Sequence, residues 1–269
     1  MSATGFAPLR NLQDIEELER VPLEQRLLSW NANDWIMRGL DLAPSKVAIR
    51  YIEDGDPESP ATIVTYRELK QKTIAAANLF HSLGVGPDDA VLYLMPTTPQ
   101  LYTVMLGSIA AGVSCCTNWM LEPEHWAALI RSSRAKVVVA LGPTPGYDIW
   151  DKLQSVAGEL PTGVTILSVQ GTGGRQLPES DLDLLAARQP KDALTFSRKT
   201  TPDDVAAYVH SGGTTGAPKL VKLTHRGFSY KFWANTLVMA HTADEVIFAD
   251  YPMFHVAGFF GRGIMAVAD

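Results

Sequence analysis

The sequence predicts an α/β fold of mostly parallel sheets flanked by helices. Two observations predict it. Runs such as AVLYLM, KVVVAL and VTILSV are apolar without alternation, as strands covered on both faces must be. Helix-length segments separate these runs, which is the rhythm of parallel crossovers. A length of 269 residues, 46% of them hydrophobic, allows one large domain or two smaller ones with a full core.

The elements follow in order. KVAIRYI (46–52) and ATIVTY (61–66) are short β-rich runs joined by the polar turn EDGDPESP. Thr65 and Glu68 have capping-box spacing, so a helix is expected from there through LKQKTIAAANLFHSL to Gly84. GVGPDD closes it, with Asp88 and Asp89 read as a solvated turn. From Ala90 to Leu121 there is no formal charge, a length sufficient to span a bilayer. Pro96, Pro99, Gly107, Gly112 and Asn118 divide it instead into the strand AVLYLM, the turn PTTPQ, the helix LYTVMLGSIAA and the strand VSCC. No transmembrane segment is predicted.

EPEHWAALIRSS then reads as a helix, KVVVAL as a strand, YDIWDKLQSVAG as a helix and VTILSV as a strand. Between Gln170 and Pro202 the pattern loosens around one short helix, DLDLLAARQ. An organisational boundary is expected here, with a first α/β subdomain over residues 1–200 and the start of a second over 201–269. VAAYVH (205–210) and LVKLT (220–224) read as strands. THRGFSYKFWANTLVMAH reads as a helix capped by Thr224, and EVIFAD as a further strand running into YPMFHVAGF.

Several function classes drop out. Net charge is −6 and the Lys and Arg residues are scattered, so no nucleic-acid partner is expected. MSATGFAPLRNLQDIEELERV contains no secretory apolar core. The only cysteines, Cys115 and Cys116, are adjacent and match neither a zinc nor a CxxC pattern. They read as buried thiols of a reducing compartment, and a cytoplasmic location is expected.

The chemistry-bearing stretch is HSGGTTGAPK (210–219), which carries three glycines, three hydroxyls and a lysine and no carboxylate. Consecutive backbone N–H groups in such a turn can converge into an anion-binding nest, and glycine permits the close approach. Lys219 supplies a point charge. The composition suits a polyphosphate. It is not a Walker A loop, because Ala217 and Pro218 separate Gly216 from Lys219 and a strand follows. GxGxxG is absent as well. A plain glycine-rich hairpin remains the bland alternative.

The string resembles the phosphate-loop signature of the adenylate-forming superfamily, [YH]-[ST]-[SG]-G-T-T-G-x-P-K followed by a Thr-His pair, here within LVKLTH. Gly212 stands for the commoner serine and Leu220 for a commoner glycine, departures that resemble acyl-CoA synthetases of the fatty-acyl type. TYRELKQKTIAAANLFHSLGVGPDDAV, MPTTPQLYTVMLGSIAAGVSCCTN and PMFHVAGF (252–259) also resemble family segments, so the likeness runs from about Lys46 onward.

The resemblance implies a two-step ligase that makes an acyl-adenylate from ATP and a carboxylic acid, then a coenzyme A thioester. It implies that Ser211, Gly212, Gly213, Thr214, Thr215 and Gly216 wrap the β- and γ-phosphates, that Lys219 and Thr214 act catalytically, and that Thr214 or Thr215 touches Mg2+. His255 is expected to shape the acyl pocket. Tyr208, Trp233 and Phe254 read as core, and His225 as a helix-opening residue outside the catalytic set. The family's later acidic motif, adenine platform, ribose-binding aspartate and mobile C-terminal domain have no counterpart in these 269 residues. The chain therefore reads as the N-terminal part of a longer enzyme, inactive alone and able to self-associate. Aryl or amino acid activation, transfer to a carrier protein, and a non-catalytic nucleotide-binding module stay open as alternatives.

Overall fold

A computed structural model describes residues 9–211, 218–239 and 244–268. Its helices are α1 (Leu12–Glu19), α2 (Leu23–Arg26), α3 (Ala32–Leu42), α4 (Tyr66–Ser82), α5 (Pro99–Ala111), α6 (Pro123–Ser132), α7 (Ile149–Ser155), α8 (Leu182–Ala186), α9 (His225–Met239) and α10 (Met265–Ala268). A π-helical segment, Ala257–Ile264, leads into α10. The strands are β1 (Val47–Tyr51), β2 (Thr62–Thr65), β3 (Ala90–Leu94), β4 (Val113–Cys116), β5 (Ala135–Leu141), β6 (Thr165–Val169), β7 (Val205–His210) and β8 (Leu220–Thr224).

β1 and β2 form an antiparallel pair, and the other six strands form one mixed sheet in the order β6-β5-β3-β4-β7-β8. The β6-β5, β5-β3, β3-β4 and β4-β7 pairs are parallel, while β7 and β8 are antiparallel. The sheet therefore runs across residue 200, and the loosened stretch before β7 is a connection within it.

Burial follows the sequence pattern. β3 and β4 are buried at every position, and α5 from Leu101 to Ala111 shows no exposed face. A helix apolar all round must be covered all round. α4 covers it closely: a Cβ at Gly107 would lie 3.0 Å from the Ala76 Cβ and 3.1 Å from the Thr73 carbonyl. The charge-free stretch is thus a strand–helix–strand unit, and no helix among the described residues is long and apolar enough to cross a membrane. Both capping expectations hold. Thr65 and Glu68 form a reciprocal capping box, and Thr224 Oγ1 accepts from the Gly227 N–H at 3.2 Å.

EVIFAD corrects the sequence reading. Residues 245–250 form no strand, and Val246 and Phe248 are 92% and 81% exposed. Their β-favouring side chains meet no partner among the described residues, and intrinsic preference without a ladder does not make a strand. The helix expected over YDIWDKLQSVAG is shorter than its pattern, with a 3₁₀ turn at Ala157–Glu159 after α7.

The connection to β7 is held by two polar anchors, the buried Asn78 and the half-buried Arg198. Asn78 on α4 donates to the Pro190 and Ala193 carbonyls at 2.8 and 3.0 Å, and its Oδ1 accepts from the Thr195 N–H at 2.8 Å. Arg198 donates to the Ile109 and Gly112 carbonyls at 3.1 and 2.8 Å, at the end of α5 where helical carbonyls lack partners. Replacing Asn78 with Leu should strand three backbone groups and lower stability by about 2–3 kcal/mol, read as a shift of the urea midpoint at unchanged m-value.

Candidate functional site

All parallel strands of the sheet end at one edge, and the loops leaving that edge build the site. After β3 the chain crosses to β4 by α5; after β4 it returns past β3 to β5 by α6. Right-handed crossovers in opposite directions put α5 and α6 on opposite faces, which opens a crevice at the carboxyl ends of β3 and β4. A cleft of about 210 Å³ occupies that place, lined by Met95, Pro96 and Thr97 after β3, Trp119 and Met120 after β4, and Pro252, Met253 and Phe254. None of its lining side chains is ionisable.

The glycine-rich string begins at the same edge. β7 lies parallel to β4, and β8 returns antiparallel with His210 opposite Leu220. The Ser211 N–H donates to the Lys219 carbonyl at 2.8 Å, so the two ends of the string are held together as a hairpin. Lys219 is exposed. Gly212, Gly213, Thr214, Thr215 and Gly216, the expected phosphate and magnesium contacts, lie outside the described residues.

His210 joins the hairpin to the cleft. Its Nε2 accepts from the Asn118 N–H at 3.1 Å, and its ring stacks on Phe254 at 6.5 Å between centroids. Burial is the main cause that lowers its pKa, and nearby His255 lowers it further, so the ring is a neutral acceptor. Asn118, Trp119 and Met120 were not singled out from sequence as site residues; their one signal was position, directly after a strand that ends at this edge.

His255 is exposed, and its Nδ1 accepts from the Ala257 N–H at 3.2 Å. It sits in a tight local fold. Its N–H donates to the Pro252 carbonyl at 3.0 Å and its carbonyl accepts from the Phe259 N–H at 2.8 Å. Gly258 makes that fold possible, since a Cβ there would lie 2.1 Å from the Pro252 carbonyl oxygen. Arg262 pairs with Asp250 at 2.8 Å and holds its carboxyl below the usual range. The structure therefore brings the start of the glycine-rich string and the PMFHVAGF segment to one edge. Phe254, expected in the core, both packs against it and lines the cleft.

The other expected positions separate from the edge. Trp233 is buried on α9 beneath Arg26, whose guanidinium lies 4.9 Å from its ring, and Tyr208 packs against the core from β7. His225 opens α9, fully buried, with Nδ1 accepting from the Ala32 N–H at 3.1 Å. Cys115 and Cys116 are free and buried, and burial pushes the Cys115 thiol up to about 12. Neither is a nucleophile at neutral pH.

A polyphosphate fits the donor set of the string, which offers backbone N–H groups, hydroxyls and Lys219 without a competing carboxylate. No cluster of His, Cys, Asp or Glu able to hold a metal ion occurs among the described residues. A magnesium ion here would be held by the phosphates it accompanies, with a threonine hydroxyl as its protein contact.

Comparison with known proteins places these features in context. The AMP-binding enzyme family matches residues 40–267. Marinolic acid–CoA ligase of a Pseudoalteromonas species is 28% identical over 253 residues, which cover 92% of this chain and 38% of the ligase. 4-Coumarate–CoA ligase 1 of Arabidopsis thaliana is 28% identical over 203 residues, 72% of this chain and 35% of that protein. Among solved structures, ATP-bound MatB from Rhodopseudomonas palustris superposes with a TM-score of 0.71 at 23% identity, covering 90% of this chain and 44% of MatB. The chain thus spans well under half the length of each.

Two outcomes follow from the site. Burial, with Arg198 nearby, drives the His225 imidazole down to about 4, whereas an unfolded histidine titrates near 6.5. The unfolded chain therefore binds the extra proton first, so stability is complete above pH 6.5 and falls as pH drops towards 4. About 3 kcal/mol is at stake over that window. His225→Asn should flatten the decline in urea titrations across pH 4–6.5. Gly258→Ala should force the Pro252 backbone away and expose the Phe254 wall, read as faster amide exchange at His255 and Phe259 with β3 and β5 unchanged.

Proposed function

Given that this chain belongs to the AMP-binding enzyme family, we propose that it is the phosphate-holding part of an acid–CoA ligase. The carboxylate of the acid attacks the α-phosphorus of ATP, the bond to pyrophosphate breaks, and an acyl-adenylate forms. The coenzyme A thiol then attacks the mixed anhydride, giving the thioester and AMP. Several phosphate charges must be held while a further anion approaches, so preorganised donors dominate the work.

The observation that carries this reading is the HSGGTTGAPK string, joined end to end by Ser211 and Lys219 at the carboxyl edge of the parallel strands. Ser211 and the backbone N–H groups of Gly212 to Gly216 receive the β- and γ-phosphates, and Lys219 neutralises them. Thr214 and Thr215 supply hydroxyls to phosphate or Mg2+. His255 and Phe254 face the acid beside the apolar cleft. We take the acid to be a fatty acid and the setting to be the cytoplasm, where Cys115 and Cys116 stay reduced. Aryl acids form a second reading, favoured by the likeness to 4-coumarate–CoA ligase 1.

Acid-dependent ATP–pyrophosphate exchange on the natural gene product that contains these residues tests the proposal. Long-chain fatty acids should support exchange, and Lys219→Ala should reduce it by roughly 10²–10³-fold. Exchange only with aromatic acids replaces the fatty-acid reading with the aryl one. Magnesium-ATP binding without exchange for any acid overturns the ligase reading and leaves a nucleotide-binding module. Residues 1–269 alone, which span 38% of the related marinolic acid ligase, should form no adenylate; detectable adenylate from them refutes that part.

A further inference from the structure

The family match begins at residue 40, yet residues before it contact the base of the β7–β8 hairpin and the helix α9 that follows it. The Ala32 N–H, at the first turn of α3, donates to His225 Nδ1 at 3.1 Å in a fully buried contact. Trp30 lies 5.0 Å beneath the Arg226 guanidinium. Trp35 packs on Phe232 with ring centroids 5.7 Å apart. His225 and Arg226 themselves close the hairpin base: their N–H groups donate to the Asp204 and Pro202 carbonyls at 3.0 and 2.7 Å, and Arg226 pairs with Asp203 at 3.0 Å.

The base needs an external anchor. β8 is the last strand of its sheet, hydrogen-bonded to β7 on one side and to no strand on the other among the described residues. The β7–β8 register shifts between Val205 and Ala207, next to that base. A bulge at an edge strand is where register is most easily lost, and a slip of one residue reverses every side chain of the strand. A slip is a movement of the whole strand, so it carries Lys219 at the far end with it.

We infer that the segment Trp30–Trp35 is a strap that fixes the β7–β8 register through His225, which is a positioning residue for the phosphate hairpin. His225 has a second feature that agrees. Nδ1 accepts, so the proton is on Nε2, and Nε2 is buried without a partner among the described residues. A group that leaves a buried donor unpaired is poorly suited to a purely stabilising role. The functional consequence for ATP rests on the ligase reading above; the coupling of strap to strand does not.

Ala32→Pro tests it, because proline is tolerated in the first helical turn, removes the N–H that His225 uses and sets its Cδ against the imidazole, so the strap and the ring must part. His225→Leu removes the acceptor instead, and His225→Asn restores one near the place of Nδ1. Amide exchange of Leu220–Thr224 should rise by roughly tenfold relative to β3 and β5 in the first two variants and return in the third. Equal acceleration in all strands, or no change in β8, overturns the inference. Affinity for a fluorescent ATP analogue, measured in parallel, should weaken in Ala32→Pro and His225→Leu. Absence of nucleotide binding in every form, the natural chain included, counts against the ligase reading and leaves the strap standing on the exchange result.

Discussion

The carboxyl edge depends on one pairing, that of β7 with β4. The two strands are 93 residues apart at their facing positions, Ser114 and Ala207, and nothing local draws them together. What does so is the buried wiring of the connection between them. Arg198 satisfies carbonyls that α5 leaves open at its end, and Asn78 uses both ends of its amide on backbone groups of residues 190–195. A buried amide is costly unless paired, and the half-buried Arg198 guanidinium reaches carbonyls on two separate segments, so each of these contacts admits few other routings of the chain.

With β7 in place, the rest of the edge follows. The strand ends beside Asn118, whose N–H meets His210, and the histidine ring meets Phe254. Three segments far apart in sequence thus converge where the crossover direction reverses. In open parallel sheets this is where ligands bind, because loops there diverge to opposite faces and leave a crevice. The apolar cleft thus lies beside His210, the residue at which the glycine- and hydroxyl-rich string begins.

The sequence reading succeeded where local chemistry decides. β3, β4, β5 and β6 were legible because a strand covered on both faces has to be apolar throughout, and the caps at Thr65 and Thr224 because their donors and acceptors are three residues apart. EVIFAD failed because a strand needs a neighbour, which composition does not supply. The helices α1, α2 and α3 went unread. α1 buries no residue, and the contacts that anchor α3 join Ala32 to a histidine 193 positions away.

By itself, then, the sequence determined the class of fold, the two strands that bracket the glycine-rich string and the burial of the cysteines. Each rests on periodicity, residue type or short spacing, all of which are properties of a few consecutive residues. Only the tertiary structure decided that the strands on both sides of residue 200 form one sheet, that the PMFHVAGF segment walls a cleft beside His210, and that the N-terminal helices anchor the hairpin base. Those facts rest on contacts between residues from 44 to 193 positions apart. They are chosen by whole-chain packing and by the cost of burying backbone donors and acceptors unpaired, and neither is written in any short stretch of the chain.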